Sequence, residues 1–287
     1  GISGYSYVFD HSAATVPDAV TETSSLVRAE SASPDAGDWW FHVRACDTAG
    51  NCGDTAHLGP FQIDTTAPGA PGAVSSSSHD GGPANDPTIG VAWGTASDGL
   101  SGVASYSYAF DGNPTGSCAG GSTASLSATS SALADGSHYV HVCAVDSAGN
   151  IGAVVHGGPY VVDTAGPTGL VVSSTSHTVS TWSNDSGVDF EFSGATDTNG
   201  VAGYAIAFDR AAATVPACST TQSASTFTGS SSSDGNDWRI HVRARDVAGN
   251  CGETVHFGPF WIDTAAPGAP GAVSSSSHDG GPTNDAT

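Results

Sequence analysis

The chain has 287 residues, and its 6 basic residues, all arginine, stand against 28 Asp and Glu for a formal net charge of −22. That balance excludes nucleic acid and an anionic membrane surface as partners of this segment. The predominance of Gly, Ser, Thr and Ala, with no Lys or Met, excludes a long-helix protein, and no apolar run approaches the roughly 18 residues of a membrane span.

The predicted elements are organised by an internal repeat. Asp-x-Ala-Gly-Asn begins at Asp47, Asp146 and Asp246, with spacings of 99 and 100 residues. An apolar-Asp-Thr element at Asp64, Asp163 and Asp263 keeps the same period, and Tyr-x-x-x-Phe-Asp or a near copy ends at Asp10, Asp111 and Asp209. The chain therefore divides into a partial unit lacking its first strands (1–64), two complete units (65–163 and 164–263) and the first strand of a fourth (264–287). Residues 65–88 and 264–287 are almost identical, which marks a two-unit super-repeat of about 199 residues and a history of lengthening an array. The first residue is Gly with no leader pattern behind it, so the chain reads as an internal stretch of something longer.

Within the second unit the pattern predicts strands over 72–78, 88–93, 103–110, 124–133, 139–145 and 154–162, separated by turn residues. Alternation is clearest just before Asp-x-Ala-Gly-Asn. There Phe41, Val43 and Ala45 correspond to Val140, Val142 and Ala144 and to Ile240, Val242 and Ala244. These positions are expected to face a core, and the interleaved His42, His141 and His241 to face outward. Trp93 and Phe192 are the expected central core aromatics. About seven short strands per 100 residues make the fold class all-β, tandem immunoglobulin-like β-sandwich repeats in a linear array.

The phrases Arg-Ala-Cys-Asp-Thr-Ala-Gly-Asn (44–51), Ile-Asp-Thr-Thr-Ala-Pro (63–68) and Ser-Asp-Gly-Leu-Ser-Gly-Val-Ala-Ser-Tyr (97–106) resemble the tandem bacterial Ig-like, fibronectin-III-like repeats of large extracellular surface and adhesin proteins. The resemblance covers essentially the whole chain. It implies the module class and leaves the function open, because such repeats serve as adhesin shafts, surface fibres and spacers beside catalytic domains.

Six cysteines fall two to a unit, and their positions move in pairs from unit to unit without leaving an odd one. That pattern predicts three disulfides, Cys46–Cys52, Cys118–Cys143 and Cys218–Cys251, and hence an extracellular or cell-surface location. Zinc is not expected, because no Cys-x-x-Cys pair exists.

At the expected junctions between units, Asp64, Asp98, Asp146 and Asn150 converge, and Asp163, Asp197, Asp246 and Asn250 repeat the set. Hard oxygen ligands of this kind select Ca²⁺, and the resemblance points the same way. The other reading is a hairpin turn in which Asp and Asn bond their own backbone and Gly supplies positive φ. Asp80, Asn85 and Asp86, with Asp279, Asn284 and Asp285, are a second acidic group at the opposite pole. Histidines recur too: His42 with His57, His141 with His156 and His241 with His256 are expected cross-strand neighbours, either a transition-metal or contact pair or a packed, hydrogen-bonded one.

No Gly-x-Ser-x-Gly, phosphate loop or His-Glu-x-x-His is present, and every notable residue recurs with the module. An enzyme is not expected. The functional expectation is an extracellular structural rod, serving as filament, stalk or adhesin shaft. Its partners would be further copies in a fibre, or surface glycan and protein bound through regions outside this segment. The alternative is a non-catalytic accessory array of a secreted polysaccharide-active enzyme, for which Trp39, Trp40, Trp182, Trp238 and Trp261 are the candidate sugar-binding aromatics.

Overall fold

The computed structural model describes residues 1–219 and 222–274. Among them every regular element is a strand. The chain forms two compact units, Gly1–Thr164 and Ala165–Thr287.

The first unit begins with an antiparallel sheet β1-β2-β3, built from β1 (Ile2–Asp10), β2 (Ala36–Asp47) and β3 (Ala56–Ile63). Next come β4 (Val74–Ser76), β5 (Gly90–Trp93), β6 (Val103–Asp111), β7 (Gly121–Thr123), β8 (Ser127–Thr129), β9 (Gly136–Asp146) and β10 (Val155–Val162). These seven make two sheets, β4-β5-β8 and β10-β9-β6-β7. Where a single strand was expected over 124–133, the chain instead spends β7 on one sheet and β8 on the other. Ile89, Val91 and Trp93 from the smaller sheet meet Tyr106, Val140, Val142, Ala144, Tyr160 and Val162 from the larger in one core. Alternation along β5 and β9 supplies both inner faces, as a half-buried pleat requires.

The second unit has a related plan, with its fourth strand on the opposite edge and parallel to its neighbour: β11 (Val171–Ser174), β12 (Trp182–Ser183), β13 (Gly187–Ser193), β14 (Val201–Asp209), β15 (Thr226–Ser230), β16 (Gly235–Asp246) and β17 (Val255–Ile262). Its sheets run β11-β13-β15 and β12-β17-β16-β14. Phe192 and Trp93, the expected core aromatics, are 4% and 5% exposed. Trp39 and Trp238 are buried as well, stacked on Phe9 and Phe208, so neither presents a face to sugar.

The sheet β1-β2-β3 corresponds strand for strand to β6-β9-β10, yet among the described residues no second sheet lies on its inner face. Tyr5, Tyr7, Phe9, Phe41, Leu58 and Phe61 consequently line an open cavity of about 730 Å³. Residues 264–274 form no strand, and the remainder of the expected fourth-unit strand, with Asp279, Asn284 and Asp285, lies outside the described residues.

One glycine position recurs for a steric reason. Gly59, Gly158 and Gly258 sit at φ of 149°, 109° and 130° where the last strand shifts register. A Cβ there would meet the carbonyl oxygen of Trp39, His138 or Trp238 at 2.8 Å, so only Gly fits the bulge.

Candidate functional site

The Asp-x-Ala-Gly-Asn hairpins are built locally. Asp146 Oδ1 accepts the Asn150 backbone N–H at 2.8 Å, and Asn150 Nδ2 donates to Asp146 Oδ2 at 2.8 Å. Asp47 with Asn51 and Asp246 with Asn250 do the same. Gly50, Gly149 and Gly249 supply φ of 85°, 95° and 104°, as the turn chemistry demands.

In the first unit this turn also grips the linker. Asn150 Nδ2 donates to the carbonyl oxygens of Asp64 and Thr66 at 3.1 and 3.4 Å, and Ser101 N donates to Asp64 Oδ2 at 3.0 Å. Asp98, whose Oδ1 accepts the Leu100 and Gly102 N–H groups, completes the group. Asp64, Asp98 and Asp146 bring carboxylate oxygens within 4.8 Å of one another. None of the three has an Arg partner among the described residues, and the buried Ser101 Oγ has no hydrogen-bond partner. Burial opposes ionisation of Asp146, but the hydrogen bonds from the Asn150 side chain and from backbone N–H groups outweigh it and hold the carboxyl below its usual range. A donor set made entirely of oxygen with three negative charges fits a hard divalent cation. Within the second unit Asp197 and Asp246 bring their oxygens within the same distance, and Asn250 Nδ2 donates to Ala165 O at 3.2 Å. Asp163, the counterpart of Asp64, closes the first unit. Asp80 and Asp86 are used locally, on Ser76 N and Thr88 N.

Each linker is capped by a residue that the sequence reading missed. The N–H and Oγ1 of Thr65 donate to Asp35, those of Thr164 to Asp135, and those of Thr264 to Asp234. The Thr backbone bond, the largest influence, lowers the carboxyl pKa of Asp35 and of Asp234. These aspartates recur with the repeat period, which was the signal available to find them.

The histidines require a correction. His42, His141 and His241 were expected to face outward, and they do lie on the outer face of their strands, yet each is 0% exposed. They lie on β2, β9 and β16, the central strands, and the loop following β1, β6 or β14 folds back over that outer face. In the second module Gly116 of this loop packs so closely that a Cβ would meet His141 Nε2 and Asp111 Oδ2. The cross-strand pairing with His57, His156 and His256 is present. The Nδ1 atoms of each pair hold each other at 2.6–2.7 Å and are therefore occupied by a hydrogen bond. Burial, only partly offset by Asp209, pushes the His241 pKa down. Asp111 is held low, first by the Asn113 N–H and then by His141.

The three disulfides Cys46–Cys52, Cys118–Cys143 and Cys218–Cys251 are formed, and no described cysteine is free. No helix among the described residues is long and apolar enough to cross a membrane.

A three-stranded sheet on a four-stranded one, repeated along the chain, defines a tandem array of immunoglobulin-like, fibronectin-III-like modules. No family model and no curated protein matches the sequence. Among solved structures, the fibronectin(III)-like modules of Clostridium thermocellum CbhA are similar at 13% identity, over 70% of this chain and 100% of that one, with a TM-score of 0.38. A 1.5-MDa bacterial ice-binding adhesin is similar at 20% identity, over 79% and 74% of the two chains, with a TM-score of 0.37. Chitinase ChiA74 from Bacillus thuringiensis is similar at 16% identity over 71% of this chain and 29% of its own, with a TM-score of 0.29.

Proposed function

We propose that the chain is a non-catalytic structural segment of an extracellular protein, a rod of sandwich modules serving as filament, stalk or adhesin shaft, with Ca²⁺ stiffening the junctions. The observation that carries this reading is the junction in the first unit, where Asn150 and Ser101 of one module hold the Asp64 linker and three carboxylates converge on it. Three like charges at that spacing repel one another until a cation joins them, and a cation bound there would resist bending. Disulfides in every module suit an oxidising, extracellular setting. Further copies of the chain, in a fibre, are the proposed partners.

Small-angle scattering of the whole chain in millimolar Ca²⁺ tests the shape. Strands of 9 to 12 residues at about 3.3 Å each give modules of roughly 30–40 Å, so three in line give a radius of gyration near 30 Å. A compact particle of this length would give about 19 Å, and that result refutes the rod.

A second reading, accessory modules of a secreted polysaccharide-active enzyme, draws on Trp182 and Trp261. Their rings lie 5.4 Å apart, and Trp182 is 56% exposed. Specific binding on a glycan array, lost in Trp182→Ala, would favour it.

A further inference from the structure

The outer face of the sheet β12-β17-β16-β14 carries a row of four side chains, one from each strand or its end. Trp182 of β12 pairs with Trp261 of β17, and their rings lie 5.4 Å apart. Gly235 pairs with Ile262 and Trp238 with Phe260, so Trp261 faces the bulge that holds Asn236 and Asp237. Trp238, Phe260 and Ile262 belong to the core, which turns Trp261 and Asp237 outward by alternation. Asp237 Oδ1 accepts the Nε–H of Arg210, the residue that follows β14. Trp182 is 56% exposed, and the Arg210 and Asp237 side chains are 47% and 43% exposed. Three steps between strands, at about 4.8 Å each, make the row about 14 Å long.

The fold does not need these four residues. In the second module Ala84 bridges Val162 in the same parallel sense in which Ser183 pairs with Ile262, and the four places hold Pro83, Val161, Ser137 and Gly112. The first module has Gln62 at the place of Trp261. The third module nevertheless holds Trp182 firmly. Ser180 N donates to Pro259 O and Asp263 N to Ser183 O, each at 2.9 Å, on either side of it. Ser180 takes a φ of 59°, the one positive value outside glycine among the described residues, in the turn that delivers Trp182 to the sheet edge. An indole fixed in place and left in water loses little further freedom when a ligand stacks on it.

The chemistry of the row selects its ligand. A pyranose ring presents C–H groups on its faces and hydroxyls around its rim. The faces stack on indole, and the hydroxyls, which both donate and accept, suit a carboxylate that accepts beside a guanidinium that donates. The Arg210–Asp237 pair is neutral in sum, and the chain carries a net charge of −22, which repels uronic-acid and sulfated polymers. The row is longer than one sugar ring and runs out to the edge strand β12, so it suits a chain of linked rings lying across the strands.

We propose that Trp182, Trp261, Asp237 and Arg210 form a binding site for a neutral polysaccharide of hexopyranose units. This gives the accessory-module reading its site and its ligand class, and it rests on that reading and not on the rod or on a cation at the junction.

Affinity electrophoresis of the whole oxidised chain in native gels cast with glucomannan, hydroxyethylcellulose or soluble starch tests it, with polygalacturonate as the acidic counterpart. Retardation by at least one neutral polymer is expected, and none by polygalacturonate. Trp182→Ala and Trp261→Ala should each weaken the retardation about tenfold or more, while Trp182→Phe keeps an aromatic face and should keep most of it. Arg210→Gln, which leaves the packing of the two indoles alone, should weaken it about threefold or more and reads the site even where a Trp variant fails to fold. Retardation that Trp182→Ala, Trp261→Ala and Arg210→Gln all leave intact, or that Trp40→Ala abolishes, overturns this site and leaves the accessory-module reading standing. Retardation by none of the three neutral polymers overturns both, and stronger retardation by polygalacturonate overturns the neutral ligand class.

Discussion

Replacing Asp98 by Asn removes one of the three junction charges and leaves Oδ1 in place to accept the Leu100 and Gly102 N–H groups. The turn survives, and the substitution isolates cation binding from folding. Three carboxylates and neutral oxygens form a sparser ligand set than a full Ca²⁺ loop, which places the dissociation constant in the class of extracellular modules, about 10⁻⁴–10⁻³ M. At about 2 mM Ca²⁺ a site of that affinity stabilises the folded state by roughly 0.6–1.8 kcal/mol through mass action. The first unit, Gly1–Thr164, is of a size for which each kcal/mol moves the melting midpoint about 2–4 °C. Calorimetry of the oxidised parent chain should therefore show a midpoint about 1–7 °C higher in Ca²⁺ than in EDTA. Asp98→Asn should lose that difference, and its midpoint in EDTA should match or exceed the parent's because repulsion is relieved. An unchanged parent midpoint, or an Asp98→Asn chain that keeps the full response, refutes the cation site and leaves Asp-x-Ala-Gly-Asn as a turn that also grips the linker.

Acid should weaken the second unit through His241. Its pKa is pushed below the usual value by burial, so the unfolded chain binds the proton more readily, and stability is full above about pH 6.5 and declines as pH falls from there. Asp209, also held low, acts with the same sign nearer to about pH 4. Protection of the Ile240 and Val242 amides, corrected for the intrinsic exchange rate at each pH, should therefore fall between pH 7 and pH 5, and His241→Gln should flatten that slope; an unaltered slope places the effect elsewhere. The disulfides should rank by the chain they enclose. Replacing both cysteines of Cys118–Cys143 or Cys218–Cys251, separated by 25 and 33 residues, should cost about 3–4 kcal/mol, and of Cys46–Cys52, separated by 6, about 2 kcal/mol. Urea midpoints check this, and an equal cost for all three contradicts the loop-entropy argument.

Much of this was readable in sequence because it is local or periodic. The Asp146–Asn150 turn closes within five residues through the side chains' own reach, so residue type alone specifies it. Period-2 alternation placed Val140, Val142 and Ala144 in the core, and the paired movement of cysteines named the same bridges that the structure contains. Alternation failed at His141 because it reports the two faces of a strand and not what lies on them. The outer face is buried by a loop some 25 residues earlier in the chain, held there by Asp111 and Cys118. The cap of Thr164 by Asp135 and the grip of Asn150 on Asp64 likewise span 29 and 86 residues. The sequence by itself determined the repeat, most of the strands, the turns and the disulfide partners, since each follows from side chains meeting their own neighbours or recurring in step. Tertiary structure alone decided which polar groups are buried and which carboxylates meet, because those depend on where the chain returns after many residues.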